Sequence, residues 1–344
     1  MTVFLPPPDT NPYLRLLAAS LAQCQVTVRT MPVVLSEQWL ATVQPSGSTV
    51  LHFHWPSYAY LDTDRKLMAE YVRSWVQALG VAKALGFKIV WTAHNLYAHD
   101  GTHRDLEREA QQALLDACDS VIVHCRAAEP LLRAHFRVSA PCSLIPHGHY
   151  CGVYGQPVET KQARRTLGVP EDGTLYLFFG QLSPYKGLER LLRVFGSLPE
   201  TIGTLLIAGA VLDAAFARRL LSGCRRQDNI FIHPFFVPDR EVSLYLGAAD
   251  LLVLPYSDVL TSGATALAHS MGRPVIAPAL GCLPEMVPGG TGWLYQPDSE
   301  EALANALETA QGPLSSETAD RCLRFALQKD WRAVAEKTMA AYRS

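Results

Sequence analysis

Phe178-Phe179-Gly180-Gln181-Leu182-Ser183-Pro184-Tyr185-Lys186-Gly187 runs from an apolar strand into a glycine turn and sets a lysine just ahead of a helical pattern. The preceding run, Leu175 to Phe179, is apolar on both faces, as a strand buried inside a parallel sheet must be. Gly187 to Leu192 then resumes at helical spacing. A strand that ends in a glycine turn before a helix is how an α/β domain presents a cation and free backbone N–H groups to a phosphate. Taken alone the segment also reads as a plain turn with a solvated lysine.

Working outward, the same rhythm recurs. Thr204–Ala208, Ile230–Ile232, Leu251–Leu254 and Pro274–Ala277 read as strands between helices near 188–198, 214–224, 240–248, 264–271 and 300–309. Upstream, Val26–Val28, Thr49–Phe53, Lys88–Thr92, Ser120–Val123 and Ser143–Ile145 alternate with helices near 12–24, 65–85, 102–117 and 127–135. Alternation of this kind predicts parallel sheets covered on both faces. The Gly- and Pro-rich stretch 148–172 reads as a linker, giving an N-terminal Rossmann-like domain over 1–155 and a second over 156–329. The amphipathic segment 330–344 forms a last helix.

Composition sets bounds. The chain has 344 residues, 49% hydrophobic and 18% charged, enough for two packed cores. A formal net charge of −2 gives no global electrostatic case for nucleic acid as a partner. Eight cysteines are scattered with no C-x-x-C pair, which argues against a zinc site and fits a cytosolic protein. No run of about 18 apolar residues occurs, so the expectation is a soluble or at most peripheral protein. No G-x-G-x-x-G follows a strand with an acidic residue about 20 positions on, which disfavours an NAD-binding dehydrogenase.

Further polar segments gather at strand ends. Thr261-Ser262-Gly263 opens a small-residue helix after Leu254-Pro255; Thr261 or Ser262 can cap it while N–H groups face an anion. Glu285, in a turn-rich loop, either accepts hydrogen bonds from ligand hydroxyls or caps the next helix. In the N-terminal half, His52-Phe53-His54-Trp55 and His94-Asn95 through His99-Asp100 follow β-like runs, and His147 stands at the linker. Such residues suit sugar hydroxyls or proton abstraction. Their spacing has no metal-motif character.

These residues, in the order Ile145-Pro146-His147-Gly148, Gly180-Gln181-Leu182 to Lys186-Gly187, Ala249-Asp250 to Pro255, Gly272-Arg273-Pro274-Val275 and Pro284-Glu285, resemble GT-B glycosyltransferases of the broad family-four type. The resemblance implies two Rossmann-like domains whose parallel sheets face a central cleft, with the nucleotide-sugar held by the second and the acceptor by the first. It implies a donor site of Gly180, Gln181, Lys186, Phe236, Val237, Thr261, Ser262, Gly263 and Glu285, with no cofactor and no metal required. Two departures stand out. Gln181 occupies the place of the family's arginine, and the paired glutamates fall on Val259 and Leu267.

With His-x-His-Trp-Pro and Asn11-Pro12-Tyr13, that variant is similar to bacterial exopolysaccharide β-mannosyltransferases of the xanthan type. The implied donor is GDP-mannose, the acceptor a lipid-linked glycan on the cytoplasmic face of the inner membrane, and the anomeric centre inverts. An inverting displacement needs a base. Asp100 and His99 lead, with His94 in the catalytic set and His54 an equal alternative; His52, His54, Trp55, Asn95, His147 and Tyr13 would line the sugar. Retaining transfer from a UDP-sugar and a catalytically inactive nucleotide-sugar-binding scaffold are the other readings. Arg126, Arg133 and Arg137, with Arg65, Lys66 and Arg73, form either a basic membrane-facing surface or ordinary solvated helix faces.

Overall fold

The computed structural model describes residues 1–7, 11–43, 45, 47–98, 101–223 and 228–344. Chain contacts divide them into two compact units, Met1–Gly148 with Lys329–Ser344, and His149–Gln328.

Unit 1 alternates β1 (Thr2–Leu5), α1 (Pro12–Gln23), β2 (Thr27–Thr30), α2 (Glu37–Val43), β3 (Thr49–Phe53), α3 (Arg65–Ala84), β4 (Lys88–Thr92), α4 (Arg104–Ala117), β5 (Ser120–Val123), α5 (Ala128–His135) and β6 (Cys142–Leu144). Its strands lie in the order β2-β1-β3-β4-β5-β6, every pair parallel. Helix starts are locally encoded. The Asn11 side chain accepts the Tyr13 N–H with Pro12 in the first turn, and Asp64 accepts from Lys66 and Leu67. Because the order reverses between β1 and β3, the loops after these two strands diverge and leave a crevice at their carboxyl ends.

In unit 2, α6 (Thr160–Leu167) is followed by β7 (Leu175–Phe179), α7 (Leu188–Ser197), β8 (Thr204–Ala208), α8 (Ala214–Gly223), β9 (Ile230–His233), α9 (Asp239–Ala248), β10 (Leu251–Val253), α10 (Gly263–Ser270), β11 (Val275–Pro278), α11 (Leu283–Met286), β12 (Gly292–Tyr295), α12 (Glu300–Thr309) and α13 (Ser316–Leu327). The order β12-β11-β10-β7-β8-β9 is again parallel throughout. Its reversal falls between β7 and β10, the strands that carry the lysine loop and the Thr-Ser-Gly loop. Asp250, just before β10, sews this unit together: it pairs with Arg164 of α6 at 2.7 Å and accepts from the backbone N–H of Leu175 and Leu314. Both partners are nearly fully buried, so the pair holds only because its lone pairs and protons are satisfied.

The final helix, α14 (Trp331–Ala341), returns to unit 1, where it packs on α1 and buries Trp331, Val334 and Tyr342 with Leu14, Leu17 and Leu21. A Cβ on Gly148 would lie 2.4 Å from the Trp331 ring, so glycine is what lets this helix seat. The stretch expected to be a plain linker contains α6, which starts on Glu159 as its cap and stops at Gly168 in the left-handed conformation.

Candidate functional site

In unit 2, β7 delivers Gly180 at φ 129°, and the Lys186 ammonium lies over it, 3.6 Å from where a Cβ would stand. Lys186 sits in a short 3-10 turn, Pro184–Lys186, closed by Gly187 at φ 71°. A Cβ on Gly187 would fall 1.9 Å from the Pro255 carbonyl oxygen, so the β7 loop rests directly against the chain leaving β10. Two hydrogen bonds from Ser257 to the Tyr185 carbonyl and one from Arg190 to Pro255 fix that contact. The ammonium is ringed by Tyr256 at 5.3 Å, Tyr185 at 5.6 Å and Phe178 at 5.9 Å from the ring centroids. Burial works against its charge, yet the Tyr256 and Tyr185 hydroxyls outweigh that and raise its pKa. Lys186 is a fixed cation at the switch point of a parallel sheet.

The second element is α10. Ser262 caps it, accepting from Thr265 N–H at 3.2 Å, and Gly263 and Ala264 at its start are half-buried. Thr261 lies 3.7 Å from the Met286 sulfur. Gly281, at φ 51°, crosses the Val259 carbonyl so closely that a Cβ would come within 2.3 Å, and this brings α11 and the exposed Glu285 beside the Thr-Ser-Gly loop. Gln181 is exposed. Beyond β9, Phe235 stacks on His233 and Phe236 is 73% exposed, whereas Val237 points into the core. Of the residues expected at the nucleobase, Phe236 is thus available and Val237 is not. Val259 and Leu267, where the family pattern has glutamates, are both buried apolar side chains.

In unit 1 the carboxyl ends of β3, β4 and β5 bring His54, His94 and His124 into one chain. His54 Nδ1 meets His94 Nε2 at 3.0 Å, His94 Nδ1 meets His124 Nε2 at 3.3 Å, and His124 Nδ1 meets the Ile145 carbonyl at 2.8 Å. The Tyr13 ring sits amid His54, His94, His124 and His147, and Trp55 stacks on His94 at 4.4 Å and 18°. Burial pushes all of these down, with repulsion from neighbouring imidazoles adding to it for all but His124: His52 and His147 to about 3, His124 to about 4, His54 and His94 well below the ordinary range. They are neutral at physiological pH.

That geometry corrects two expectations. His52, read as a sugar contact, is fully buried and spends its nitrogens on Tyr342 Oη at 2.7 Å and Thr92 Oγ1 at 2.8 Å. His94, read as part of the catalytic set, has both nitrogens committed to its neighbours His54 and His124. His147 gives its Nδ1–H to the Gly148 carbonyl, and Asn95 is half-buried. His99 and Asp100 lie outside the described residues. The buried carboxylate of Glu107 accepts the Ala98 N–H and pairs with Arg104. His124 escaped the sequence reading: it follows the apolar run of β5 as His54 and His94 follow theirs, but it stands alone rather than in a polar cluster.

A cavity of about 610 Å³ opens at the switch point of this sheet, lined by Asn11, Phe53, His54, Trp55, Tyr58 and Trp75 among others. Of the basic side chains read as a surface, Arg65, Arg133 and Arg137 are paired with Asp105, Glu129 and Asp116, which offsets their charge. Among the described residues no group of three or more His, Cys, Asp or Glu is arranged to hold a metal ion, and no helix is long and apolar enough to cross a membrane.

Comparison with known proteins follows the same division. Residues 173–311 match the family model described as glycosyl transferases group 1, and residues 51–149 match glycosyltransferase family 4. A GDP-mannose:glycolipid 4-beta-D-mannosyltransferase of Xanthomonas campestris is 28% identical over 314 residues, 88% of this chain and 80% of that one. A D-inositol 3-phosphate glycosyltransferase of Corynebacterium aurimucosum is 28% identical over 279 residues, 74% of this chain and 65% of that one. Among solved structures, a sucrose-phosphate synthase from Thermosynechococcus elongatus superposes with a TM-score of 0.73 at 21% identity, covering 100% of this chain and 98% of that one. Anabaena Alr3699/HepE in complex with UDP gives 0.72 at 17% identity, covering 99% of each.

Proposed function

We propose, from the premise that this chain is a GT-B glycosyltransferase of the family-four-like type, that it moves mannose from GDP-mannose onto a lipid-linked oligosaccharide in exopolysaccharide assembly, with inversion at the anomeric carbon. The observation that carries the reading is Lys186, a buried-edge cation over Gly180 at the switch point of unit 2. There it meets the donor diphosphate, and the first turn of α10 supplies N–H groups to the same anion. With an ammonium and backbone dipoles neutralising the leaving group, the reaction needs no metal ion. Phe236 offers a face to the nucleobase, and Glu285 accepts from donor hydroxyls.

Unit 1 supplies the acceptor side. Aromatic rings and polar strand ends around its cavity suit a sugar, and exposed Leu67 and Tyr71 on α3, next to Lys66 and Arg73, suit a peripheral approach to the cytoplasmic face of the inner membrane. The similarity to the Xanthomonas mannosyltransferase supports the choice of donor and of a glycolipid acceptor. A second reading is retaining transfer from a UDP-sugar; the relatives include a D-inositol 3-phosphate glycosyltransferase as well as the mannosyltransferase. Buried Val259 and Leu267 in place of the glutamates favour the first.

The test is transfer itself: the protein is incubated with GDP-mannose and a polyprenyl-diphosphate-linked oligosaccharide, and the product's anomeric configuration is read by NMR. A β-linked mannose is expected. Transfer only from UDP-sugars, an α-linked product, or no transfer from any nucleotide-sugar overturns the proposal.

A further inference from the structure

Within the histidine chain of unit 1 the direction of every proton is fixed by its far end. The Ile145 carbonyl can only accept, so His124 Nδ1 carries hydrogen. A neutral His124 then has a bare Nε2, which obliges His94 to donate from Nδ1. His94 Nε2 is bare in turn, and His54 donates to it from Nδ1. The assignment follows from the network, one tautomer dictating the next.

What remains is His54 Nε2, an acceptor by elimination. Among the described residues no donor reaches it, although the side chain is only 2% exposed. Leaving a buried acceptor without a donor forfeits its hydration with nothing in return, which marks the atom as one to explain. His54 follows β3 directly and lines the 610 Å³ cavity at the β1/β3 switch point, where an open parallel sheet receives its ligand. Trp55 and Tyr58 line the same cavity and offer faces on which a sugar ring can stack.

We infer that this cavity is a sugar-hydroxyl subsite in which His54 Nε2 accepts the proton of a ligand hydroxyl, held in the receptive tautomer by His94 and His124. The inference rests on the glycosyltransferase reading and deepens it by naming the base. As the acceptor oxygen bonds to the sugar's anomeric carbon, its O–H bond breaks and the proton passes to His54 Nε2. The bond from that carbon to the diphosphate breaks at the same time, and its electron pair leaves with the phosphate. The new imidazolium can pass its Nδ1 proton to His94 Nε2, and His94 can pass its own to His124. His54 touches the reacting hydroxyl and is the catalytic residue; His94 and His124 are positioning residues.

Two measurements test this on the full chain. In protein labelled with nitrogen-15 at histidine, His54 should show a bare Nε2 and a protonated Nδ1 at neutral pH, and titration with methyl β-glucoside and methyl β-mannoside should move the Nε2 signal while leaving His52 in place. A protonated Nε2, or one that neither sugar moves, overturns the proposal whatever the donor proves to be. The second is His54→Asn, whose amide nitrogen keeps a donor toward His94 while removing the Nε2 acceptor. Transfer should fall about 10²- to 10⁴-fold with GDP affinity and melting temperature retained. Transfer at the wild-type rate by a folded variant overturns the base while leaving the glycosyltransferase reading intact. Failure of wild-type protein to use GDP-mannose defeats the donor assignment instead, and the spectrum still decides the role of His54.

Discussion

Gly187 shows how tightly one residue is constrained where the β7 loop meets the β10 loop. Its backbone is left-handed at φ 71°, and a methyl there would sit 1.9 Å from the Pro255 carbonyl oxygen. Gly187→Ala must therefore push the β7 loop off the β10 loop, at a cost of about 1 to 3 kcal/mol for the strained backbone alone. Denaturant unfolding should show a lower midpoint together with weaker GDP binding, since Lys186 rides on the same turn; an unchanged midpoint would contradict the packing. Residues of this kind were legible in the sequence because a glycine and a lysine after an apolar strand carry their own signal. The histidine chain was legible only in part. His54 and His94 stand in polar clusters, while His124 is a single polar residue between Val123 and Cys125, and only the register of β5 against β4 brings it to His94.

At the scale of elements, α14 decides whether unit 1 is complete. Trp331 meets Tyr13 edge-on at 5.1 Å and closes over Gly148, so the helix is part of the core that holds the histidine-bearing strands. Trp331→Ala should cost about 3 to 5 kcal/mol, read as a lower melting temperature and as loss of hydrogen-exchange protection in α1. Retention of wild-type protection would show that α14 is merely appended. The strand-helix alternation made most elements readable beforehand, and Lys88–Thr92 and Leu175–Phe179 coincide with β4 and β7. Three of those missed lack a local signal. β1 is four residues before a proline run, and α6 is short, polar and set among glycines, with only Ala163 and Arg164 buried, so its helix is stabilised by the distant Asp250 rather than by its own pattern. β12 opens on Gly292, which packs against the β11 backbone and looks like a loop in the sequence.

For the molecule as a whole, two parallel sheets each reverse their strand order once; Lys186 and the Thr-Ser-Gly loop lie at the reversal of unit 2 and His54 at that of unit 1, while the other candidates follow neighbouring strands. The alternation of strands and helices was enough to expect parallel sheets, whereas strand order, which fixes the crevice, is a long-range property that no local pattern encodes. The neutral histidines leave a global signature. Their folded pKa values lie below the unfolded value near 6.5, so the unfolded chain binds more protons as the pH falls and stability is lost from about pH 6.5 downward, toward about 4 for His124 and about 3 for His52 and His147. Each contributes up to about 1.4 kcal/mol per pH unit in that window. The melting temperature should therefore drop steeply between pH 7 and 5, before most carboxylates titrate; a flat profile there would mean that the imidazoles are not held neutral.

On the proposed reading, Lys186 and the loops around it form the cradle for a nucleoside diphosphate. Titration calorimetry of GDP against the wild-type protein and against Lys186→Ala tests it most directly. Loss of a charge-assisted contact worth about 1.5 to 3 kcal/mol should weaken GDP binding by at least about tenfold at unchanged melting temperature. Equal affinity in the two proteins, or no GDP binding by the wild type, would contradict the account.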